Sequence, residues 1–260
     1  MMIVDAHTHY QVVGAMFMFE RSDAEMIAHN VKIGCDVAVS ATGRALDRFP
    51  DRYSHEFYDK YALEIYEQSG GRVVNFFVFD PRMAEYDLAM IEKYHDNPAF
   101  VGIKIHPSDH GIWANDEGYR ACWEAAKKYD LPIMSHTWAL TSNPKQKYAT
   151  PEQFIQFIDE YPEVKFIYGH SGGRVSGIKE AVEIGKTRDN VYYDIAGDIY
   201  NRHLIEFIAK NVGADKLMIG SDQPWFELDV PIGMVLGVDL TSEEKELILG
   251  GNAARIFKLA

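Results

Sequence analysis

The sequence predicts an α/β fold of the (β/α)₈ TIM-barrel class. The first observation is the length, because 260 residues match the roughly 250 residues that are typical of one such barrel. The second is the alternation of short, apolar, β-rich runs with longer segments of helical spacing, which is typical of successive βα units. The third is that the chain contains no repeat, low-complexity tract or linker, so one domain over residues 1–260 is expected.

Eight runs have the composition of strands, and each is about five residues long, which is a normal strand length. Their number equals the number of strands that a closed barrel of this class needs. The runs are residues 2–6, 36–41, 73–79, 100–105, 132–135, 164–168, 191–195 and 216–220.

The segments between these runs carry signals for the beginning and end of helices. A serine or threonine followed three residues later by Glu or Gln predicts a capping box, in which both residues satisfy free N–H groups. A proline at the first helical position and a glycine after the last one mark the two ends. The predicted boxes are Ser22 with Glu25, Thr150 with Gln153 and Thr241 with Glu244, the proline is Pro151, and the glycines are Gly34, Gly70 and Gly213.

Four segments that follow predicted strands lack a clear periodic pattern and are interpreted as long loops. Such loops commonly shape a pocket at the mouth of a barrel. They are residues 42–55, 108–116, 137–148 and 223–238.

Charge and composition limit the function. The formal net charge of −13 works against sequence-independent binding of nucleic acid, so a small-molecule partner is favoured. This partner would be anionic if it is bound by the cationic side chains of Lys104 and Arg174. The chain has no apolar run of about 18 residues and no basic, apolar leader, which argues against membrane insertion and secretion. Cys35 and Cys122 form no paired motif, so a reducing cytoplasm is expected. The sequence is compatible with a homo-oligomer and does not determine the oligomeric state.

Histidine and aspartate side chains gather at the ends of predicted strands. His7 and His9 close the first strand, and a spacing of two puts both side chains on one face of an extended chain. His136 ends strand five, His170 ends strand six and Asp222 follows strand eight. Because the carboxyl ends of all barrel strands meet at one rim, we expect these groups to converge.

These nitrogen and oxygen donors predict one divalent metal ion held by His7, His9, His136 and Asp222. Zn²⁺ is the first choice, and Mn²⁺ or Fe²⁺ stay open because affinity alone rarely decides the metal. A water on the ion would become a nucleophile at neutral pH, with Asp222 as its proton carrier and His170 as acid, base or oxyanion stabiliser. Alternatively, a His-x-His pair is satisfied by ordinary hydrogen bonds, and His170 orients a ligand instead of assisting catalysis.

Four further residues are candidates for binding substrate. Lys104 and His106 close strand four on a shared face, and Lys104 could bind a substrate carboxylate, pair with an acidic neighbour, or carry a carboxyl group between two metals. Trp138 follows strand five and either forms an aromatic wall or packs in the core. Arg174 stands at a predicted helix start, where it could clamp an anion.

Other residues near strand ends receive less specific interpretations. Asp194 closes strand seven, and a solvated or capping role is favoured for it over support of the metal site. Tyr10 and Trp225 either form aromatic walls or pack in the core. His55 and His110 instead fall in helices or loops away from strand ends and are interpreted as surface or packing residues.

With these residues in hand, the chain resembles the amidohydrolase superfamily, in particular the amidohydrolase-related branch that includes decarboxylases such as aminocarboxymuconate semialdehyde decarboxylase. The likeness covers nearly the whole length, and its motifs are specific together but not singly. They are D-A-H-T-H at 5–9, G-I-K-I-H-P at 102–107, S-H at 135–136, G-H-S-G-G at 169–173, G-S-D-Q-P at 220–224 and G-N-A-A-R-I-F at 251–257.

The resemblance implies a barrel with one divalent metal at His7, His9, His136 and Asp222, and a catalytic His170. A second metal would need Lys104 as a carboxylated bridge, so one metal is preferred. The leading hypothesis is hydrolysis of a small molecule by a metal-activated water that attacks a carbonyl. The alternatives are a non-oxidative decarboxylase on the same site, a nuclease, which ranks well below, and a metal- or ligand-binding barrel without catalysis.

Overall fold

Eight parallel strands form one sheet in chain order, which confirms the (β/α)₈ barrel. The chain is described by a computed structural model over residues 1–11, 22–42, 52–141 and 143–259. The strands are β1 Val4–Thr8, β2 Val37–Ser40, β3 Val73–Val78, β4 Phe100–Ile105, β5 Ile133–His136, β6 Phe166–Gly169, β7 Val191–Asp194 and β8 Leu217–Met218.

The sheet closes because the chain after β8 bonds back to β1. Ala6 donates its N–H to the carbonyl of Ile219, and Asp222 donates to the carbonyl of His7. In the pairing of β1 with β2, Asp5 lies opposite Ala38 but Thr8 lies opposite Ser40. This bulge adds one residue to β1 and resets its side-chain alternation, as bulges beside active sites often do.

Eleven helices among the described residues connect and cover the strands. They are α1 Asp23–Lys32, α2 Arg52–Gln68, α3 Ala84–Tyr94, α4 Pro107–His110, α5 Arg120–Tyr129, α6 Ile155–Glu160, α7 Val175–Gly185, α8 Leu204–Val212, α9 Asp229–Gly237, α10 Ser242–Glu246 and α11 Asn252–Phe257.

The two largest apolar layers among the described residues hold this arrangement together. The larger fills the space between strands and helices and contains the fully buried Trp123 and Phe166. The smaller fills the barrel, where Phe76 and Met134 meet Phe257 of α11. Burial of one such large side chain adds about 1.5–3 kcal/mol to the stability of the fold. The apolar layers therefore provide a rigid support for polar groups at the carboxyl ends of the strands.

Most of the predicted helix signals are confirmed. Ser22 with Glu25 and Thr241 with Glu244 form complete capping boxes. Gly34, Gly70 and Gly213 follow helices with φ of 84°, 64° and 100°. The third box is wrong, because the Thr150 hydroxyl caps no N–H and donates instead to the Glu152 carboxylate.

Some predicted boundaries also differ. The first strand is Val4–Thr8 instead of 2–6, because the pairing with β2 continues through the bulge. The predicted loop 42–55 is helical from Arg52, while 43–51 lie outside the described residues. The predicted loop 223–238 contains α9, whose apolar residues Pro231 and Val235 are buried. Burial of these side chains against the rest of the protein stabilises α9, although its sequence has no clear amphipathic pattern.

Along the described parts of the chain, no helix is long and apolar enough to cross a membrane.

Candidate active site at the mouth of the barrel

The predicted site residues lie at the carboxyl ends of four strands. His7 is in β1 and His9 follows it, His136 ends β5, His170 follows β6 directly, and Asp222 lies beyond β8. His7, His9 and His170 are almost fully buried, with 0%, 3% and 4% exposure. Asp222 keeps 16% of its side chain exposed, so the site opens to solvent on the side of Asp222.

Three donor atoms converge on one point: Nε2 of His7, Nε2 of His9 and a carboxylate oxygen of Asp222. Oδ1 of Asp222 lies 3.2 Å from Nε2 of His9 and 3.8 Å from Nε2 of His7. All three ligand atoms lie within 4.8 Å of one another. Two bonds of about 2.0–2.2 Å to one ion span up to about 4.4 Å, so the separations of 3.2 Å and 3.8 Å from Oδ1 of Asp222 suit a single ion.

The tautomers of both histidines follow from their other ring nitrogens. Nδ1 of His9 donates to the carbonyl of Ala41 at 2.8 Å, and Nδ1 of His7 donates to Asp194 at 3.0 Å. Burial lowers the pKa of both rings, that of His7 to about 3, so each is neutral and has a bare lone pair on Nε2.

Two lone pairs and a carboxylate therefore face one another, an arrangement that a cation relieves. Burial alone would raise the pKa of Asp222, but contact with His9 and the nearby His170 and His7 outweigh it and hold that pKa below its ordinary value. Asp222 is thus ionised. The residues present fit a divalent ion of the Zn²⁺, Mn²⁺ or Fe²⁺ type, which accepts imidazole and carboxylate donors.

His136 lies outside this group. Its Nε2 donates to Oε1 of Gln146 at 3.2 Å, and Gln146 is held in turn by the Ser108 hydroxyl. Its ring stacks on His106, with centroids 4.2 Å apart. In this structure, three of the four predicted metal ligands are within reach of one ion, and His136 would have to exchange its bond to Gln146 to join them.

Lys104 reaches the site from β4. Its side chain is 1% exposed, and Nζ lies 2.8 Å from Nε2 of His7. Burial lowers the pKa of Lys104 to about 8, so the side chain is still mainly an ammonium at pH 7. It donates to the same lone pair of His7 that faces Asp222.

Asp194 was underestimated by sequence reasoning. It is fully buried, and besides holding His7 it accepts the backbone N–H of His170 at 2.8 Å. Burial would raise its pKa, but the electrostatic interaction with His7 and the hydrogen bond from it lower that pKa to about 2. Its position at the end of β7 was the available signal, because the other site residues occupy equivalent places.

Asp5 is a second carboxylate that sequence reasoning missed. It accepts the N–H of Ser221 at 2.8 Å and the hydroxyl of Ser221 at 2.5 Å, and so it ties β1 to the residue before Asp222. Burial raises the pKa of Asp5 to about 7. Asp5 is the first residue of the motif D-A-H-T-H at 5–9, but the motif does not indicate which groups its carboxylate contacts.

Both proposed catalytic residues have left-handed backbone conformations, with φ of 60° at His170 and 66° at Asp222. Such strain is rare away from glycine and is concentrated at functional sites. Gly197 packs against both side chains, since a Cβ there would lie 3.0 Å from Nδ1 of His170 and 3.4 Å from Oδ2 of Asp222. Nδ1 of His170 donates to the Ala196 carbonyl, which leaves a lone pair on Nε2.

A column of flat groups forms one wall of the mouth. His136 is parallel to both His106 and Trp138, with centroids 4.2 Å and 5.8 Å away. The Arg174 guanidinium lies 4.8 Å from the Trp138 ring centroid and bonds to Asp198 at 2.7 Å. The four predicted substrate-binding residues thus divide into this wall and the separately placed Lys104.

The other aromatic and histidine residues singled out in the sequence lie either beside the site or in the core. Trp225 meets His9 edge to face, with centroids 5.2 Å apart, whereas Tyr10 is fully buried in a core cluster behind β2. His55 and His110 are packing residues, and both are almost completely buried, next to Asp87 and Tyr119 respectively.

The chain matches the model of one known protein family over almost its whole length. The family model described as Amidohydrolase matches residues 4–259. The chain belongs to the amidohydrolase family. The match spans every strand of the barrel and includes all of the site residues described above, which confirms the family resemblance that the sequence motifs indicated.

This amidohydrolase is also similar to individual proteins. It is 22% identical over 225 residues to a gamma-resorcylate decarboxylase of Polaromonas sp., covering 69% of this chain and 68% of the relative. Its fold matches 5-carboxyvanillate decarboxylase from Sphingomonas paucimobilis with a TM-score of 0.79 and 14% identity, covering 100% and 99% of the two chains. It also matches a dihydroxybenzoic acid decarboxylase from Polaromonas sp. JS666, crystallised with manganese and the inhibitor 2-nitroresorcinol, with a TM-score of 0.76, 16% identity and coverage of 99% and 97%.

Proposed function

We propose that this amidohydrolase is a metal-dependent carboxy-lyase that removes CO₂ from a small anionic acid of the hydroxybenzoate class. The observation that carries the proposal is the convergence of two bare imidazole nitrogens and an ionised carboxylate beside His170. Hydrolysis was the leading hypothesis from sequence. The relatives favour the alternative, because the matched proteins named above are decarboxylases.

His7, His9 and Asp222 would hold the metal, and His136 would join them only by leaving Gln146. Manganese in a structural neighbour supports Mn²⁺ over the Zn²⁺ first expected, and the donor set accepts both. When bound, such an ion polarises substrate oxygens and stabilises negative charge that develops on the ring.

His170 is the proposed proton donor to carbon. Decarboxylation breaks the bond between the ring carbon and the carboxyl carbon, its electron pair stays on the ring, and a proton must replace the CO₂ that leaves. Nδ1 of His170 is fixed by the Ala196 carbonyl, so Nε2 is the atom that takes up a proton and delivers it. Asp222, which was first expected to carry the proton, has a lowered pKa and instead stabilises a protonated His170.

The other predicted residues would bind the acid. Lys104 and Arg174 supply positive charge, and the flat wall of His106, His136 and Trp138 suits an aromatic ring. Asp198 holds Arg174 over Trp138, which limits the freedom that the guanidinium would lose when it binds an anion.

The test is an assay of Mn²⁺-loaded protein with 2,6-dihydroxybenzoate and 5-carboxyvanillate, and in parallel with lactones and anilides. We expect CO₂ release from an aromatic acid, lowered about 10²- to 10⁴-fold in His170→Asn and unchanged in the exposed-surface control Lys179→Met. Hydrolysis without CO₂ release would identify a hydrolase and overturn the proposal. Metal binding with no turnover of any acid would also overturn it and favour a binding protein.

A further inference from the structure

Lys104 is a buried cation whose closest polar partner is a proposed metal ligand. Its Nζ donates to Nε2 of His7 at 2.8 Å, and the side chain is 1% exposed. Within residues 1–11, 22–42, 52–141 and 143–259, no carboxylate lies within 4.0 Å of Nζ. Buried lysines are rare unless they are paired with an anion, so the position of Lys104 needs an explanation.

Two carboxylates attract this ammonium from beyond hydrogen-bond distance. Asp194 and Asp222 both attract Lys104 through space. Asp194 already accepts from His7 and from the N–H groups of His170 and Ala196, and Oδ1 of Asp222 is directed toward Nε2 of His9, 3.2 Å away. Among the described residues, the one hydrogen-bond acceptor of Lys104 is therefore a neutral group, the lone pair of His7.

That lone pair cannot serve two partners. Asp194 fixes the N–H of His7 on Nδ1, so Nε2 has a single lone pair, directed toward both Lys104 and Asp222. An imidazole nitrogen that binds a metal through this lone pair cannot also accept a hydrogen bond through it. A metal at His7, His9 and Asp222 and the Lys104 ammonium thus compete for the same atom.

We propose that Lys104 couples metal binding to capture of the anionic substrate: metal occupancy of His7 releases the Lys104 ammonium, which then binds the carboxylate of the incoming acid. The inference rests on the metal site of the proposed function and adds a binding order and a specificity residue. The released ammonium is buried and needs an anionic acceptor, and an aromatic acid entering the mouth supplies one.

Coupling of this kind is reciprocal. If the metal improves binding of the acid, the acid must improve binding of the metal by the same factor. Without Lys104, the metal no longer displaces a hydrogen bond from His7 or meets a neighbouring positive charge. Replacement by an uncharged side chain of similar length should then strengthen metal binding by about tenfold and abolish the dependence on the acid.

The experiment is a calorimetric titration of chelator-treated, full-length protein with Mn²⁺, alone and with saturating salicylate. Salicylamide is the matched control, because it has the same ring and hydroxyl but no carboxylate. The variants are Lys104→Met and Lys104→Leu, neither of which can donate to His7, with Lys179→Met as a surface control, and circular dichroism establishes that each is folded. In the wild type, salicylate should tighten Mn²⁺ binding at least fivefold and salicylamide should not.

Both Lys104 variants should bind Mn²⁺ more tightly than the wild type, and salicylate should leave their affinity unchanged. Unaltered Mn²⁺ affinity in a folded Lys104 variant, or persistent tightening by salicylate, overturns the inference. If neither variant folds, equal effects of salicylate and salicylamide on the wild type overturn it. A wild type that binds Mn²⁺ and releases CO₂ without such coupling overturns this inference alone, whereas a wild type that binds no Mn²⁺ overturns the proposed function as well.

Discussion

Oδ2 of Asp194 lies 3.0 Å from Nδ1 of His7, and both side chains are completely buried. The contact sets the tautomer of His7 and turns its Nε2 lone pair toward His9 and Asp222. A carboxylate behind a ligating histidine commonly fixes the ring and raises its basicity. The geometry of the proposed metal site therefore depends on a residue that lies behind the ligands.

Replacement of Asp194 by Asn should weaken metal binding. The amide has only one oxygen for the three N–H groups that Asp194 now accepts, so one of them loses its partner. We expect Mn²⁺ affinity to fall by about 10- to 100-fold, measured by titration calorimetry. Asp198→Asn, at the rim, is the matched control, and equal affinities for the two variants would contradict the role of Asp194.

Replacement of Gly197 by Ala should impair catalysis without unfolding the protein. The new Cβ would press on Nδ1 of His170 and approach Oδ2 of Asp222. A small displacement of catalytic groups costs about 100-fold in rate, measured as CO₂ release from the accepted acid.

Gly34→Ala is the control for backbone strain, because Gly34 has the same φ of 84° but faces open space. Among the described residues, no atom lies within 4 Å of the place that its Cβ would occupy. Both variants should lose about 1–2 kcal/mol of stability from the left-handed conformation. Equal activities of the two variants would show that contact with His170 is unimportant.

The unfolding free energy should carry a pH dependence that belongs to Asp5. Its folded pKa is about 7, against an ordinary value of 3.8, so between these values the native state holds a proton that the unfolded state releases. The Asp5 contribution is present below pH 4 and is lost as the pH rises through 7, with a slope of up to about 1.4 kcal/mol per pH unit.

Urea unfolding of wild type and Asp5→Asn in EDTA, at pH 5 and pH 7.5, measures this effect. The variant should gain about 2.5 kcal/mol relative to the wild type over that interval, because its amide cannot ionise. An identical pH dependence for the two proteins would mean that Asp5 titrates normally.

Metal should stabilise the fold through His9 and Asp222. A ligand at 100 times its dissociation constant adds about 2.7 kcal/mol to the unfolding free energy, so Mn²⁺ should raise the Tm of the wild type in a thermal scan. His9→Asn and Asp222→Asn should lose this increase, while His203→Asn, at an exposed helix start, should keep it. An undiminished increase in both site variants would place the metal elsewhere.

The strand-end positions of His7, His9, His170 and Asp222 are predictable from the sequence because the position of a residue at the end of a strand is a local property. Alternating βα segments determine which end of each strand faces the barrel mouth. Lys104 and His136 are predictable at strand ends in the same way, but the contacts of their side chains are not. It also gave too little weight to Asp194, whose local sequence is compatible with a solvated or capping role.

The amino-acid sequence by itself determined the eight-stranded barrel, its family and the rim at which the polar residues gather, because strand periodicity, helix caps and short motifs are encoded over a few neighbouring positions. Only the tertiary structure decided that Asp194 sets the tautomer of His7, that Gln146 holds His136 away from the other donors, and that Lys104 shares the His7 lone pair. Each of these depends on distances of about 3 Å between atoms from different strands and loops, and such distances are fixed by packing of the whole barrel.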